Sequence, residues 1–232
     1  MDGINATSEQ FFEALLDGDR AQARRFLAQS LANVREPQDL VPSLFWPVYQ
    51  RIESLFRLDQ ITKLQHHAAT RLLRVMVDQA SANFLRCDPN GQQVLAFCGP
   101  EDADELGAQM AVDMMEAAGF TIRFAGSGIA IDEILAQVQS TKPDLLVLFA
   151  SAPGDLPHTR ELIDTIHEIG ACPNLRIVVG GGVYNRAEGL AEEIGADGMA
   201  EDPIELVELL CMGVPQADRS DRAPRRTVRK AA

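Results

Sequence analysis

Apolar residues change their rhythm once along this chain. Up to about residue 86 they recur every three or four positions, the period of a helix with one buried face, and beyond residue 92 they gather into short uninterrupted runs. In the first part, Thr7-Ser8-Glu9-Gln10 has the form of a capping box opening a helix through Leu16, and Gly18-Asp19 reads as a stop followed by a new cap for a helix reaching about Asn33. A third apolar stretch, Leu40 to Leu58, carries Phe45, Trp46, Tyr49 and Phe56, and its Pro42 and Pro47 predict an N-terminal turn and a kink or break. Ile61, Leu64, Ala68, Leu72, Val75 and Gln79 then mark a fourth helix that packs one face into a bundle.

After Asp88-Pro89-Asn90-Gly91 the runs predict strands at Val94 to Cys98, Thr121 to Phe124, Leu145 to Phe149, Arg176 to Val179 and Gly198 to Ala200. Helices are expected to begin near Asp104, Asp132, Pro157, Arg186 and Pro203. Short strands alternating with helices make an α/β fold: a flavodoxin-like, doubly wound five-stranded parallel sheet, with the order 2-1-3-4-5 expected. The predicted organisation is therefore a helical bundle over residues 1–86, a flavodoxin-like domain over 92–214 and a basic, disordered tail over 215–232.

Charge sharpens this division. The chain carries a net −13, yet its last fourteen residues hold six basic side chains and one acid. What remains has fifteen basic against thirty-three acidic side chains, a net of −18, which repels phosphate and argues against nucleic-acid binding by the folded part. No apolar run is long enough to span a bilayer, and Met1-Asp2-Gly3-Ile4 has no signal-peptide character, so a cytoplasmic location is expected. Cys87, Cys98, Cys172 and Cys211 form no CxxC pair, which predicts reduced thiols instead of a disulfide or a zinc site.

Ligands of such a sheet bind at the carboxyl ends of its strands. The first loop, Gly99 to Gly107, packs four carboxylates at a helix start and lacks the GxGxxG spacing, so a dinucleotide pyrophosphate is disfavoured there. Capping of the helix dipole explains the same carboxylates without a ligand. A phosphoacceptor receiver domain would need an aspartate ending the third strand and a lysine ending the fifth. The chain has Phe149-Ala150-Ser151 and Glu201-Asp202 in those places. Gly126-Ser127-Gly128 and Gly180-Gly181-Gly182, facing the small loop Ser151-Ala152-Pro153-Gly154, leave room for backbone to approach an elongated ligand.

Taken together these segments resemble the cobalamin-binding modules of methionine synthase, corrinoid methyltransferase proteins and B12-sensing regulators, over roughly residues 7–211. The stretch from Gly99 to Phe120 is similar to the segment around that family's DxHxxG signature, Val178 to Gly182 to its GG loop, and Ile194 to Gly198 to the turn beyond. Ser151 stands where the family places a serine against the nucleotide tail, and Ile52 to Thr70 resembles the regulators' cap segment. Two departures matter. Asp102-Ala103-Asp104-Glu105-Leu106-Gly107 puts Asp104 in place of the histidine that binds cobalt from below. Phe56 replaces the cap tryptophan, and His66-His67 replaces a Glu-His pair.

The resemblance implies cobalamin as cofactor, held without a lower histidine. It implies contacts from Phe56, His66 and His67 on the cap and from Asp102, Asp104 and Gly107 on the first loop. Gly126, Ser151, Gly180, Gly181, Gly182 and Glu201 complete the expected set, with His67 the candidate metal ligand. The leading expectation is a non-enzymatic sensor or regulator acting through a partner protein. Alternatives are a scaffold taking haem (His66, His67 or His158 as ligands), a bilin or no cofactor, and a corrinoid methyl carrier serving a methyltransferase. The aromatic third region is able to pack within the bundle or between copies of the chain.

Overall fold

The computed structural model describes residues 2–100 and 105–215. The helical half contains α1 (Asp2–Leu16), α2 (Arg20–Asn33), α3 (Trp46–Arg57) and α4 (Lys63–Ser81). Asp19 caps α2 by accepting from the backbone N–H groups of Ala21 and Gln22, and Thr62 with Gln65 forms the capping box of α4. The expected cap at Thr7 is not a helix start, because α1 already runs through it. Between Asp2 and Thr7 only Gly3 weakens the helix, and Ser and Thr are tolerated inside one.

The two prolines of the third region do not interrupt its helical path. A 3-10 turn (Pro37–Asp39) leads into a π turn (Val41–Phe45), where the Trp46 N–H donates to the Val41 carbonyl, and α3 follows directly with Pro47 in its first turn. Proline is at home in a first turn, where its missing N–H is not needed.

The α/β half has β1 (Gln93–Cys98), α5 (Glu105–Ala117), β2 (Thr121–Phe124), α6 (Ile131–Thr141), β3 (Leu145–Phe149), α7 (Leu156–Ile169), β4 (Arg176–Gly180), α8 (Gly182–Asn185), α9 (Leu190–Ile194), β5 (Gly198–Ala200) and α10 (Pro203–Met212). All strand pairs are parallel and the order is β2-β1-β3-β4-β5, the doubly wound arrangement. The helix expected near Arg186 is two short pieces instead. One turn starts on Gly182, straight off β4, and Gly189, at φ 76°, begins the second.

Alternate residues of the strands feed the two faces of the sheet. Leu146, Ile177 and Val179 pack with Leu162 and Ile163 of α7 on one side, and Val147 and Val178 pack with Met115 of α5 and Leu206 of α10 on the other. Helix α5 has a second apolar face. Its Leu106 and Met110 enter the bundle core beside Phe11, Phe45, Leu73 and Met76. One helix therefore joins the sheet to the bundle, and its N-terminal part lies where the two meet.

Among the described residues no helix is long and apolar enough to cross a membrane. All four cysteines are free thiols. Asp102, Asp104 and most of the expected tail, residues 216–232, lie outside the described residues.

Candidate functional site

A cavity of about 370 Å³ opens where the helical half covers the carboxyl ends of β3, β4 and β5. Its sheet wall is largely backbone. Phe149 ends β3 and Ser151 and Ala152 follow it, Gly180 ends β4 and Gly181 and Gly182 follow it, and Ala200 ends β5 with Glu201 and Asp202 after it. Gly181 has φ 109°, and a Cβ on it would lie 2.2 Å from the carbonyl oxygen of Ala150, so no larger residue fits between the ends of β3 and β4.

The opposite wall is one face of α3. Trp46, Tyr49, Glu53 and Phe56 recur at helical spacing and all line the cavity, the Trp46 and Tyr49 rings 5.5 Å apart. Gly107 of α5 sits beneath them. A Cβ there would stand 3.4 Å from Tyr49 Cε1 and 3.5 Å from Trp46 Cζ3, which places the helix directly against the aromatic face.

Behind the aromatic wall, His66 is 6% exposed and its Nε2 lies 2.6 Å from Glu53 Oε1. The Phe56 ring stacks on the imidazole at 4.1 Å and 21°. Glu53 thus faces the cavity with His66 buttressing it from the rear. Of the two adjacent histidines expected at the site, His66 reaches it through Glu53, whereas His67 is exposed and outside the lining. The reason is helix phase: neighbours on α4 point about 100° apart, so the bundle buries one and solvent takes the other. His158 is outside the lining as well, and none of the lining residues is a histidine, so neither haem nor cobalt meets an imidazole on the described wall. No group of three or more His, Cys, Asp or Glu side chains able to hold a metal occurs among the described residues.

Phe56, Gly107, Ser151, Gly180, Gly181, Gly182 and Glu201 come together on the lining, as the sequence suggested. Gly126 does not. With φ 71°, it passes beside Glu105, whose Oε1 would be 3.0 Å from a Cβ on it and accepts from Ser127 Oγ at 2.8 Å. Glu105 Oε2 lies 3.6 Å from Arg74 Nη2 of α4, so this carboxylate ties the loop after β2 to the bundle. Glu53, Trp46 and Tyr49 were not among the expected site residues, although their spacing in register with Phe56 was the signal. Beneath the first loop, Asp155 is fully buried and accepts from the Ala152 N–H at 3.2 Å; Gly99 passes so close that a Cβ would meet its carboxylate.

A glycine floor under an aromatic roof at the end of a parallel sheet suits a broad, flat ligand with long side arms. Two family models, both described as B12 binding domain, match the chain, one over residues 93–208 and the other over residues 7–80. The chain belongs to the B12-binding domain family. Within it, dimethylamine corrinoid protein 1 of Methanosarcina acetivorans is 28% identical over 106 residues, 46% of this chain and 49% of that protein. A corrinoid protein of Desulfitobacterium hafniense is 30% identical over 108 residues, 47% of this chain and 49% of the relative. The matched stretch spans about half the length of each. The monomethylamine corrinoid protein of Methanosarcina barkeri shares the fold, with a TM-score of 0.71 over 87% of this chain and 95% of its own at 18% identity. In this B12-binding domain the described lining supplies no imidazole.

Proposed function

We propose that the chain is a corrinoid carrier, which holds cobalamin between α3 and the ends of β3 to β5 and presents it to a separate methyltransferase. The observation that carries this reading is the cavity itself, with its glycine floor and aromatic roof, in a chain whose two halves both match B12-binding domain models. The names of the relatives, dimethylamine corrinoid proteins among them, favour a carrier over a sensor. The cofactor supplies the methyl-accepting cobalt; the chain's part is to bind, orient and shield it. Gly107 and Gly180 to Gly182 would give backbone access to the ring and its arms, Ser151 would hold the nucleotide tail, and Trp46, Tyr49 and Phe56 would cover the opposite face. Glu53, fixed by His66, is a hydrogen-bond acceptor on the cap side.

A lining without histidine among the described residues favours a second reading, a sensor that responds to the cofactor's upper substituent. Both are tested by mixing the purified protein in the dark with hydroxocobalamin, methylcobalamin or adenosylcobalamin, desalting, and recording the visible spectrum of the protein fraction. A carrier retains the hydroxo and methyl forms alike, since it must keep the cofactor through both states. Retention of adenosylcobalamin alone would replace the carrier with the sensor, and a colourless fraction in every case would remove both.

A further inference from the structure

The sheet wall carries one side chain that neither the glycine pattern nor the signature segment explains. Arg186 follows the single turn α8, and its Nη2 donates to the carbonyl oxygen of Ser151 at 2.6 Å, spanning the gap between the β4 and β3 loops. Its Nη1 lies over Gly182, where a Cβ would come within 2.7 Å, so the glycine makes the space that the guanidinium fills. Beside it, Asn185 Nδ2 donates to the Glu201 carbonyl at 2.7 Å and fixes the turn against the end of β5.

Arg186 is an exposed cation. No carboxylate among the described residues pairs with it. Two nearby acids are engaged elsewhere: Asp202 caps α10 through the N–H groups of Ile204 and Glu205, and Glu205 accepts from the Glu201 N–H. Arg57, on the cap side of the cavity, stands in the last turn of α3, where a cation offsets the carbonyl end of the helix. Arg186 stands at the end of α8 alone, a single turn of four residues with little dipole to offset. A guanidinium offers five N–H donors in a planar fork, and one bond to a neutral carbonyl leaves most of them for an oxyanion.

We propose that Arg186 reads the phosphodiester of the cofactor's nucleotide arm, so that the protein selects complete corrinoids over corrinoids that lack this arm. The inference rests on the corrinoid reading above and extends it to specificity. Glycine backbone and Ser151 accommodate the arm without distinguishing its charge. A forked cation at the same wall supplies charge-assisted hydrogen bonds to a phosphate and nothing equivalent to a corrinoid ending in a neutral alcohol.

Trp46 is the chain's single tryptophan and lines the cavity, so its fluorescence reports occupancy. Titrations of the full chain with cyanocobalamin and with dicyanocobinamide, which lacks the phosphate and the nucleotide, test the assignment. The wild type should bind cyanocobalamin more tightly, and Arg186→Gln should weaken it by about tenfold or more while leaving dicyanocobinamide unchanged. Arg186→Lys, which keeps the charge and loses the fork, should fall between, and the wild-type preference should shrink as salt rises. Unchanged cobinamide affinity also certifies that the variant is folded. Equal weakening of both corrinoids would make Arg186 a loop latch and overturn the proposal, as would a wild type that binds the two equally. Binding of neither corrinoid by the wild type would instead overturn the corrinoid reading on which the proposal stands.

Discussion

The cavity has two walls of opposite material. The sheet wall is backbone: glycines after β4 and small residues after β3, placed by strand register. The α3 wall is side chain: rings and one buttressed carboxylate, placed by helix phase. A backbone wall cannot yield, because its atoms belong to a hydrogen-bonded ladder. A side-chain wall can adjust by rotamer, which suits the face that must admit a ligand.

Adding one methyl group within the sheet wall and one beneath the α3 wall gives the largest expected contrast. Gly181→Ala would drive a Cβ to 2.2 Å from the Ala150 carbonyl oxygen at a φ of 109°, and both partners are main chain. Strain and displacement together should cost at least about 3 kcal/mol, read as a lower urea midpoint, or prevent folding. Gly107→Ala meets only the edges of Tyr49 and Trp46 at 3.4 and 3.5 Å, within a helix that gains from alanine. Its stability should change by less than about 1 kcal/mol. If Gly181→Ala were tolerated as easily, the rigid wall would not be rigid.

The seam between the two halves titrates. Asp113 of α5 faces Asp78, Ser81 and Arg86 of the helical half and Glu116 of its own helix. Burial pushes its carboxyl up to about 6, with Glu116 and Asp78 adding to the effect and the hydrogen bond from Gln109 Nε2 opposing it. The folded state then keeps a proton that an unfolded carboxyl, at about 3.9, has released. Stability contributed here is present below about pH 4 and is lost as pH rises to about 6, by about 2 kcal/mol once partial exposure is allowed for. Asp113→Asn should remove that slope from denaturation midpoints measured between those pH values and stabilise the protein at pH 7 by about 1 to 2 kcal/mol. A variant less stable than wild type at pH 7 would mean that the carboxylate is needed as an acceptor at the seam.

The same division of materials explains what the sequence disclosed. Strands appear as short apolar runs, most plainly β3, which is buried throughout, and β2, β3 and β5 match their expected bounds, with β1 and β4 one residue longer. The glycine floor was legible because it sits at fixed offsets from those strands. Asp19 announced its helix through local capping chemistry. The α3 wall was harder to see. Its aromatics were visible, but Pro42 and Pro47 suggested a broken element, whereas α3 runs unbroken from Trp46 through Pro47 and so puts Trp46, Tyr49, Glu53 and Phe56 on one face. Glu53 is marked only by its helical register with Phe56, because its partner His66 is thirteen residues away on another helix.

The finest test of the side-chain wall concerns two neighbours of identical chemistry. His66→Ala would strip Glu53 of the partner 2.6 Å away and Phe56 of the ring stacked on it at 4.1 Å. A half-buried carboxylate left without its donor should cost about 1 to 2 kcal/mol, and the loosened Phe56 should lower corrinoid retention after desalting. His67→Ala removes an exposed ring from the same helix and should stay within about 0.5 kcal/mol of wild type with retention unchanged. Sequence position alone treats the two as interchangeable, and His67 is the one that the family pattern favours as a ligand. If His67→Ala released the cofactor and His66→Ala did not, α4 would have to turn by about one residue's phase when the cavity fills, and the wall seen here would be the open form of a face that closes by rotation.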